Sequence, residues 1–466
     1  MKVKLKFLGG AKTVTGSRYL LEVGEYKILV DCGLFQGLKD LRLRNWDSFP
    51  IDPAEINIII LTHAHIDHTG YLPKLVKEGF NGPIYCTFPT MELTKILLKD
   101  SGKLQEEEAN YAQKKGYSKH EKPQPLYTIE DAEKVFPLLQ PIQMEREERI
   151  NPSISFTFFN AGHILGAAIL KIKVKGQNQE KKIVFSGDLG RYRDPIMNPP
   201  VRIPFADILL MESTYGNRKQ LTNKPEEELG LAIRETFRNG GVAIIPAFAV
   251  GRTQMILYYL YHLQQKGKIP DIPIYVDSPM AINVTKMYKD FGQYHKLLPV
   301  LQEEDFNPFL HKNLHYYQTQ ESSMSLNAIR GDAIIISASG MATGGRILHH
   351  LYNRLPNEQD SIIFVGFQAE GTRGRRILEG EKTVRMYGID VPVKAKTFYI
   401  EGLSAHADQE ELIEWAEGFT SKPKMTFLVH GEKEASESLA NRLKEELEWN
   451  PIIPEYLESF ELFDGI

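Results

Sequence analysis

Cysteine is nearly absent from this chain: Cys32 and Cys86 are the only two in 466 residues, and neither belongs to a CxxC pair. That scarcity leaves little support for a disulfide framework or a cysteine-based zinc cluster, and it fits a reducing cytoplasm. Long apolar runs are missing too. The run 243–250 is interrupted by Pro246, far short of the roughly 18 residues a membrane-spanning helix needs. Positive charge is not in excess, because 56 Lys and Arg face 60 Asp and Glu for a net charge of −4. Such a balance argues against a protein that coats nucleic acid through a broad basic face. No GxxxxGK(S/T) occurs, so nucleotide hydrolysis is not indicated. The opening Met1-Lys2-Val3-Lys4-Leu5-Lys6-Phe7 alternates charged and apolar residues as a strand does, and it lacks the apolar core of a secretory signal.

What is present is concentrated. Directly behind Ile58-Ile59-Ile60-Leu61 stands His63-Ala64-His65-Ile66-Asp67-His68. Neutral imidazole is the commonest metal ligand and carboxylate suits a hard or borderline cation, so this loop predicts metal binding. One loop cannot fill two metal sites, and further His and Asp residues follow other strand-like runs. They are Asn160-Ala161-Gly162-His163, Ser186-Gly187-Asp188 and Val429-His430-Gly431. Each alone reads as a turn residue; together they would meet at one sheet edge.

The organisation changes along the chain. Up to about residue 215 the pattern is of short strands and turns, with a charged stretch over 105–133 that reads as a solvated helical excursion. From about residue 216, apolar runs at 242–245, 272–276, 333–336 and 361–365 alternate with helical patterns, which suggests βαβ units on a mostly parallel sheet. Hairpin-like spacing is expected to return near Phe398, so 216–399 reads as an α/β domain inserted into the first.

The motif set HxHxDH, downstream His, downstream Asp and final His resembles the metallo-β-lactamase superfamily, and the resemblance sharpens to its β-CASP branch of nucleic-acid-processing nucleases. Motif A matches Glu212 in Met211-Glu212-Ser213-Thr214-Tyr215, motif B matches His406 in Ser404-Ala405-His406-Ala407-Asp408, and motif C matches His430. Val30-Asp31-Cys32-Gly33 and Gly344-Gly345-Arg346 also match. Similar proteins include the nuclease subunit of the eukaryotic pre-mRNA 3′-end cleavage complex and its prokaryotic ribonuclease homologues.

The resemblance implies an αββα sandwich made by residues 1–215 and 400–466, with a β-CASP domain over 216–399. It implies two zinc ions per chain, although the ligand types also accommodate manganese or iron(II). One ion would take His63, His65 and His163, the other Asp67, His68 and His430, with Asp188 bridging. His406 would be the general acid, oriented by Glu212, and Asp67 and Asp188 would share in catalysis. Asp31 would orient a ligating His from outside the ligand set.

Three segments of the insert lead through Gly-rich loops toward helices beginning near Arg, an arrangement suited to phosphate. Arg252, Ser337, Gly340, Arg346, Arg373 and Arg375 are the expected phosphate contacts. The reading is a metal-dependent ribonuclease, cutting single-stranded RNA internally or from the 5′ end and leaving 5′-phosphate and 3′-hydroxyl ends. The rivals are a DNA nuclease of the same branch, against which His at motif C argues, a metallo-hydrolase of a small thioester-type substrate, and a non-enzymatic scaffold, against which the full set of expected ligands argues. The resemblance also allows a homodimer, and no flanking RNA-binding module is expected.

Overall fold

The run Ile58-Ile59-Ile60 is apolar throughout because both of its faces are covered. In the computed structural model it forms β4 (Ile58–Ile60), a central strand whose three side chains are all buried. The structure describes residues 2–115, 123–177, 179–219, 224–302 and 307–464. Of the expected charged excursion, Lys119-His120-Glu121-Lys122 lies outside the described residues; the helix Phe88–Lys115 precedes it. The chain divides into two compact units, residues 1–219 with 406–466, and residues 220–405.

The first unit holds two sheets. One is built from β1 (Val3–Phe7), β2 (Tyr19–Val23), β3 (Tyr26–Val30), β4, β5 (Ile84–Thr87), β6 (Leu139–Ile142) and the last strand β21 (Ser459–Phe463), which pairs antiparallel with β1. The other contains β7 (Glu148–Asn151), β8 (Ile154–Asn160), β9 (Ala168–Lys175), β10 (Glu180–Phe185), β11 (Ile208–Glu212) and β20 (Met425–Val429), in the order β20-β11-β10-β9-β8-β7. Alternation along the strands sorts the core. Ile58, Ile60, Leu5 and Phe7 meet Phe156, Leu170, Ile183 and Leu210 between the sheets, while Ile59 and Leu29 turn outward onto Tyr71, Leu72, Leu75 and Leu98 of the covering helices. Cys32 and Cys86 are free, buried thiols, and burial pushes Cys32 up to about 12. Among the described residues no helix is long and apolar enough to cross a membrane.

The second unit is built on six parallel strands: β12 (Val242–Pro246), β13 (Ile274–Val276), β14 (Leu314–Tyr316), β15 (Ala333–Ser337), β16 (Ser361–Phe364) and β19 (Lys396–Tyr399), in the order β14-β13-β15-β12-β16-β19. The expected return of hairpin spacing at Phe398 is corrected here. Phe398 lies on β19, an edge strand parallel to β16, and the hairpin comes before it as β17 (Thr383–Met386) and β18 (Ile389–Pro392). At the carboxyl end of β13 the fully buried Asp277 carboxylate accepts from Arg346 Nη1, His350 Nε2 and Ser323 Oγ, each at 2.7 Å. Removing one side of a buried charged pair strands the other. Asp277→Ala is therefore expected to destabilise the protein by about 3 kcal/mol or more, read as a lowered denaturant midpoint.

Candidate metal centre

Strand ends deliver the site. His63 follows β4, His163 follows β8, Asp188 follows β10, His430 follows β20, and Glu212 is the last residue of β11. Strands β8, β10, β11 and β20 run in the same direction, so their carboxyl ends share one edge. Asp31 and His430 both adopt the left-handed region, with φ of 59° and 51°. For residues with a β-carbon that conformation is held by surroundings and marks functional turns. Gly33 is needed for another reason: a Cβ there would sit 1.6 Å from Asp67 O.

Two groups of donor atoms result. Nε2 of His63 and of His163 lie 3.1 and 3.2 Å from Nδ1 of His65, and 3.4 and 3.6 Å from Oδ2 of Asp188. Nε2 of His430 lies 3.2 Å from Nε2 of His68 and 3.2 Å from Oδ2 of Asp67. His68 Nε2 and His430 Nδ1 are each 3.4 Å from Oδ1 of Asp188. Donors about 2.0–2.1 Å from a tetrahedral cation are separated by about 3.3–3.4 Å, so these spacings suit a cation at each group. Asp188 Oδ1 is buried without a well-directed hydrogen bond, a costly state for a carboxylate oxygen unless a cation faces it.

The outer contacts fix which ring nitrogen faces inward. Thr62 Oγ1 donates to Asp31 Oδ2 at 2.8 Å and so accepts from His63 Nδ1 at 3.1 Å. Thr214 Oγ1 donates to the His430 carbonyl at 2.9 Å and accepts from His430 Nδ1 at 3.1 Å. His68 Nδ1 donates to Asp31 Oδ2 at 2.8 Å, and Asp31 Oδ1 accepts from Thr62 N at 2.7 Å. All three rings therefore turn an Nε2 lone pair toward the donor groups. Asp31→Ala is expected to weaken metal affinity about 10- to 100-fold, measured by competition with a chromophoric chelator. Thr62 and Thr214 are the functional residues that sequence reasoning passed over. Both stand inside the motifs, one residue before His63 and two after Glu212, but only the fold shows their hydroxyls against imidazoles.

Burial opposes charge within the centre. It lowers His63 well below its ordinary range, helped by His68, and lowers His65 to about 4. Burial pushes Asp188 upward, yet His430, His68 and His63 outweigh it and hold the carboxyl well below its ordinary range. Burial also disfavours charge on His68, but Asp188 and Asp31 raise it well above its ordinary range. Carboxylates placed to hold a proton on that ring are equally placed to hold a divalent cation.

His406 adjoins both groups. Its Nδ1 lies 3.3 Å from Glu212 Oε2 and 4.0 Å from Asp188 Oδ2. Its turn is fastened by Ala407 N donating to Leu189 O at 2.8 Å, and Glu212 Oε1 accepts from Leu189 N at 2.5 Å. Burial works against a charge on His406, but Glu212, with Asp188 and Asp67 behind it, raises the imidazole above its ordinary range.

The six expected phosphate contacts fall in the second unit, where loops leave the neighbouring strands β12, β15 and β16: Ser337 ends β15, Gly340 and Arg346 follow it, and Arg252, Arg373 and Arg375 lie on the helices Arg252–Gln265 and Arg373–Leu378. These loops interlock: a Cβ on Gly340 would lie 2.6 Å from the Phe248 ring, and Gln368 Nε2 donates to Gly340 O at 3.0 Å. Their side chains are largely engaged within the unit. Besides Asp277, Arg346 reaches Tyr317 O and Gln318 O at 3.2 and 2.6 Å. Ser337 Oγ donates to Asp277 O at 2.9 Å, Arg373 reaches Arg385 O and Thr343 O at 3.0 and 3.1 Å, and Arg375 pairs with Glu379 at 2.6 Å. Arg252 is buried.

Comparison with known proteins agrees with this architecture. Residues 20–203 match the metallo-β-lactamase superfamily domain, residues 253–377 the β-CASP domain, and residues 390–454 the Zn-dependent metallo-hydrolase RNA specificity domain. Ribonuclease TTHA0252 of Thermus thermophilus is 37% identical over 430 residues, covering 91% of this chain and 92% of that one. An RNase J-like protein of Methanocaldococcus jannaschii is 31% identical, covering 97% and 98%. Transcription termination factor FttA of Methanosarcina mazei is 32% identical, covering 96% of this chain and 69% of its own. A solved structure of a protein of unknown function from Enterococcus faecalis superposes with a TM-score of 0.54 at 15% identity, over 99% and 100% of the two chains, and shows a shared fold. The chain belongs to the β-CASP branch of the metallo-β-lactamase superfamily, as its motifs implied.

Proposed function

We propose that the chain is a metal-dependent ribonuclease that hydrolyses phosphodiester bonds in single-stranded RNA. One observation carries the reading: His406, held 3.3 Å from Glu212, stands 4.0 Å from the Asp188 carboxylate shared by both donor groups. A proton donor beside a place for two cations suits hydrolytic displacement at phosphorus. The ribonuclease and RNase J-like relatives, aligned over nearly their whole length, support the choice of RNA.

In this reading His63, His65 and His163 would hold one cation and Asp67, His68 and His430 the other, with Asp188 placed to serve both. When bound, such a pair supplies Lewis acidity to the phosphoryl oxygens and lowers the pKa of water toward neutrality. Zinc suits the nitrogen and oxygen donors, and manganese or iron(II) is also compatible. Glu212 orients the His406 ring and favours its charged form. His406 gives its proton to the departing 3′-oxygen, which leaves a 3′-hydroxyl and a 5′-phosphate. Asp31, Thr62 and Thr214 keep His68, His63 and His430 in the tautomers that face the cations.

The test offers 5′-labelled single-stranded RNA, the matched DNA and a thioester to protein loaded with zinc, manganese or iron(II). RNA is expected to be cut, chelation to stop it, and added metal to restore it. Cleavage confined to DNA, or turnover of the thioester alone, overturns the reading.

A further inference from the structure

The chain has three tryptophans. Trp415 and Trp449 are buried, whereas Trp46 is 54% exposed. Leu38 and Leu43 of the same segment are 41% and 51% exposed. Large apolar side chains reach solvent singly on most surfaces; a group of them marks a contact site.

The segment is firmly built. The Asn45 carboxamide closes it, its Oδ1 accepting from Phe35 N at 3.0 Å and its Nδ2 donating to Phe35 O at 2.8 Å. The buried Arg18 donates to the same Oδ1 at 3.2 Å and to Gly33 O at 2.8 Å. Its guanidinium lies 3.9 Å from the centre of the Tyr71 ring and 4.9 Å from that of Phe35. Lys74 Nζ donates to Asn45 O at 2.8 Å. Residues 35–45 thus make a compact loop with its ends pinched together. Its root joins the ligand-bearing turn, since Cys32 N donates to His68 O at 2.7 Å and Leu34 N to Ile66 O at 2.9 Å. Burying a guanidinium to hold a surface loop is costly, so the outer shape of that loop calls for a functional explanation.

That outer face is cationic as well as apolar. Within 38–47, Lys39, Arg42 and Arg44 outnumber Asp40 and Asp47 by one, in a chain of net charge −4. Lys39 and Arg42 are exposed and form no ion pair among the described residues. Arg44 lies 4.2 Å from the centre of the Tyr456 ring. An exposed indole in a segment that also carries the exposed Lys39 and Arg42 suits a single nucleic-acid strand, whose bases stack on the ring while its phosphates meet the charges.

We infer that the loop 35–46 is a second RNA-contact site, outside the metal centre, which stacks unpaired bases on Trp46 and meets backbone phosphates with Lys39 and Arg42. The inference rests on the ribonuclease reading.

Trp46 is also the reporter, because it is the exposed indole. A labelled phosphorothioate oligouridylate, which resists hydrolysis, is titrated into metal-loaded protein while strand anisotropy and tryptophan emission are followed together. Emission is expected to be quenched with the same midpoint as the anisotropy change. Trp46→Phe abolishes the quenching with little loss of affinity, and Trp46→Ala weakens binding about five- to 100-fold. Arg42→Gln reduces the slope of log affinity on log salt by about 0.7. Metal content and thermal midpoint stay unchanged in all three, because these side chains are exposed. Wild-type affinity in Trp46→Ala, with no quenching in the parent, overturns the inference and leaves the ribonuclease reading standing. Failure of the parent to bind any single strand overturns both. If Trp46→Ala instead shifts sedimentation to a smaller species without changing strand affinity, the loop joins copies of the chain and the inference falls.

Discussion

Replacing His406 by alanine is expected to slow RNA cleavage by a factor of about 10²–10⁴ while metal content stays at the parent level. The two halves of that expectation come from separate features. The ring stands beside Glu212 and Asp188, where it can reach a departing oxygen; it lies outside the donor groups formed by His63, His65, His163, Asp188 and by Asp67, His68, His430, and groups instead with Asp188 and Glu212. Removing it takes away a proton donor and leaves the donor spacings intact. Glu212→Gln preserves the shape of the partner but removes its charge, and a smaller loss is expected. Metal content by plasma emission and single-turnover cleavage of a labelled strand measure the two halves. A His406→Ala protein that loses metal in proportion to activity would show that the imidazole is a ligand and not the acid.

Asp188→Ala is expected to have the opposite signature, with metal and activity lost together. A residue that only orients a ligand changes metal affinity about 10- to 100-fold. Asp188 faces both donor groups, with Oδ2 toward His63 and His163 and Oδ1 toward His68 and His430, so its removal should exceed about 100-fold. The stability readout separates this from simple misfolding. Ligands that bind the folded form raise its thermal midpoint, by an amount that grows with the logarithm of free ligand over Kd. Added zinc should therefore raise the midpoint of the parent and fail to raise that of Asp188→Ala, each compared with the same protein in chelator. An Asp188→Ala protein that still gains stability from zinc would place the metals elsewhere.

Much of this arrangement was legible in the sequence because short-range patterns carry it. Ile58-Ile59-Ile60 announces a strand covered on both faces, and a His-rich loop directly behind it announces the edge at which ligands gather. The αββα sandwich came with the family resemblance that those motifs carry, and the inserted parallel sheet with the alternation of apolar runs and helical patterns. What stayed hidden depends on partners far apart in the chain. Arg346 reads as a phosphate contact in a Gly-Gly-Arg turn, yet it reaches Asp277, 69 positions away. Phe398 sits on a parallel edge strand whose neighbour, β16, is set by the crossover between them, and no local spacing records that pairing. Thr62 and Thr214 look like ordinary motif filler until their hydroxyls are seen between a donor ring and an acceptor. The clamp of Arg18 on Asn45 joins two polar residues 27 positions apart that neither periodicity nor composition connects.

The order of synthesis gives the split first unit a meaning in time. His68 and His430 meet at 3.2 Å although 362 positions separate them. At translation rates of about 5–20 residues per second, the later imidazole leaves the ribosome roughly 20–70 s after the earlier one. Until then the second donor group lacks a member, and His406 is also still to come. A nascent chain therefore cannot complete this centre until the segment that carries His430 has emerged, and any nuclease activity waits for it.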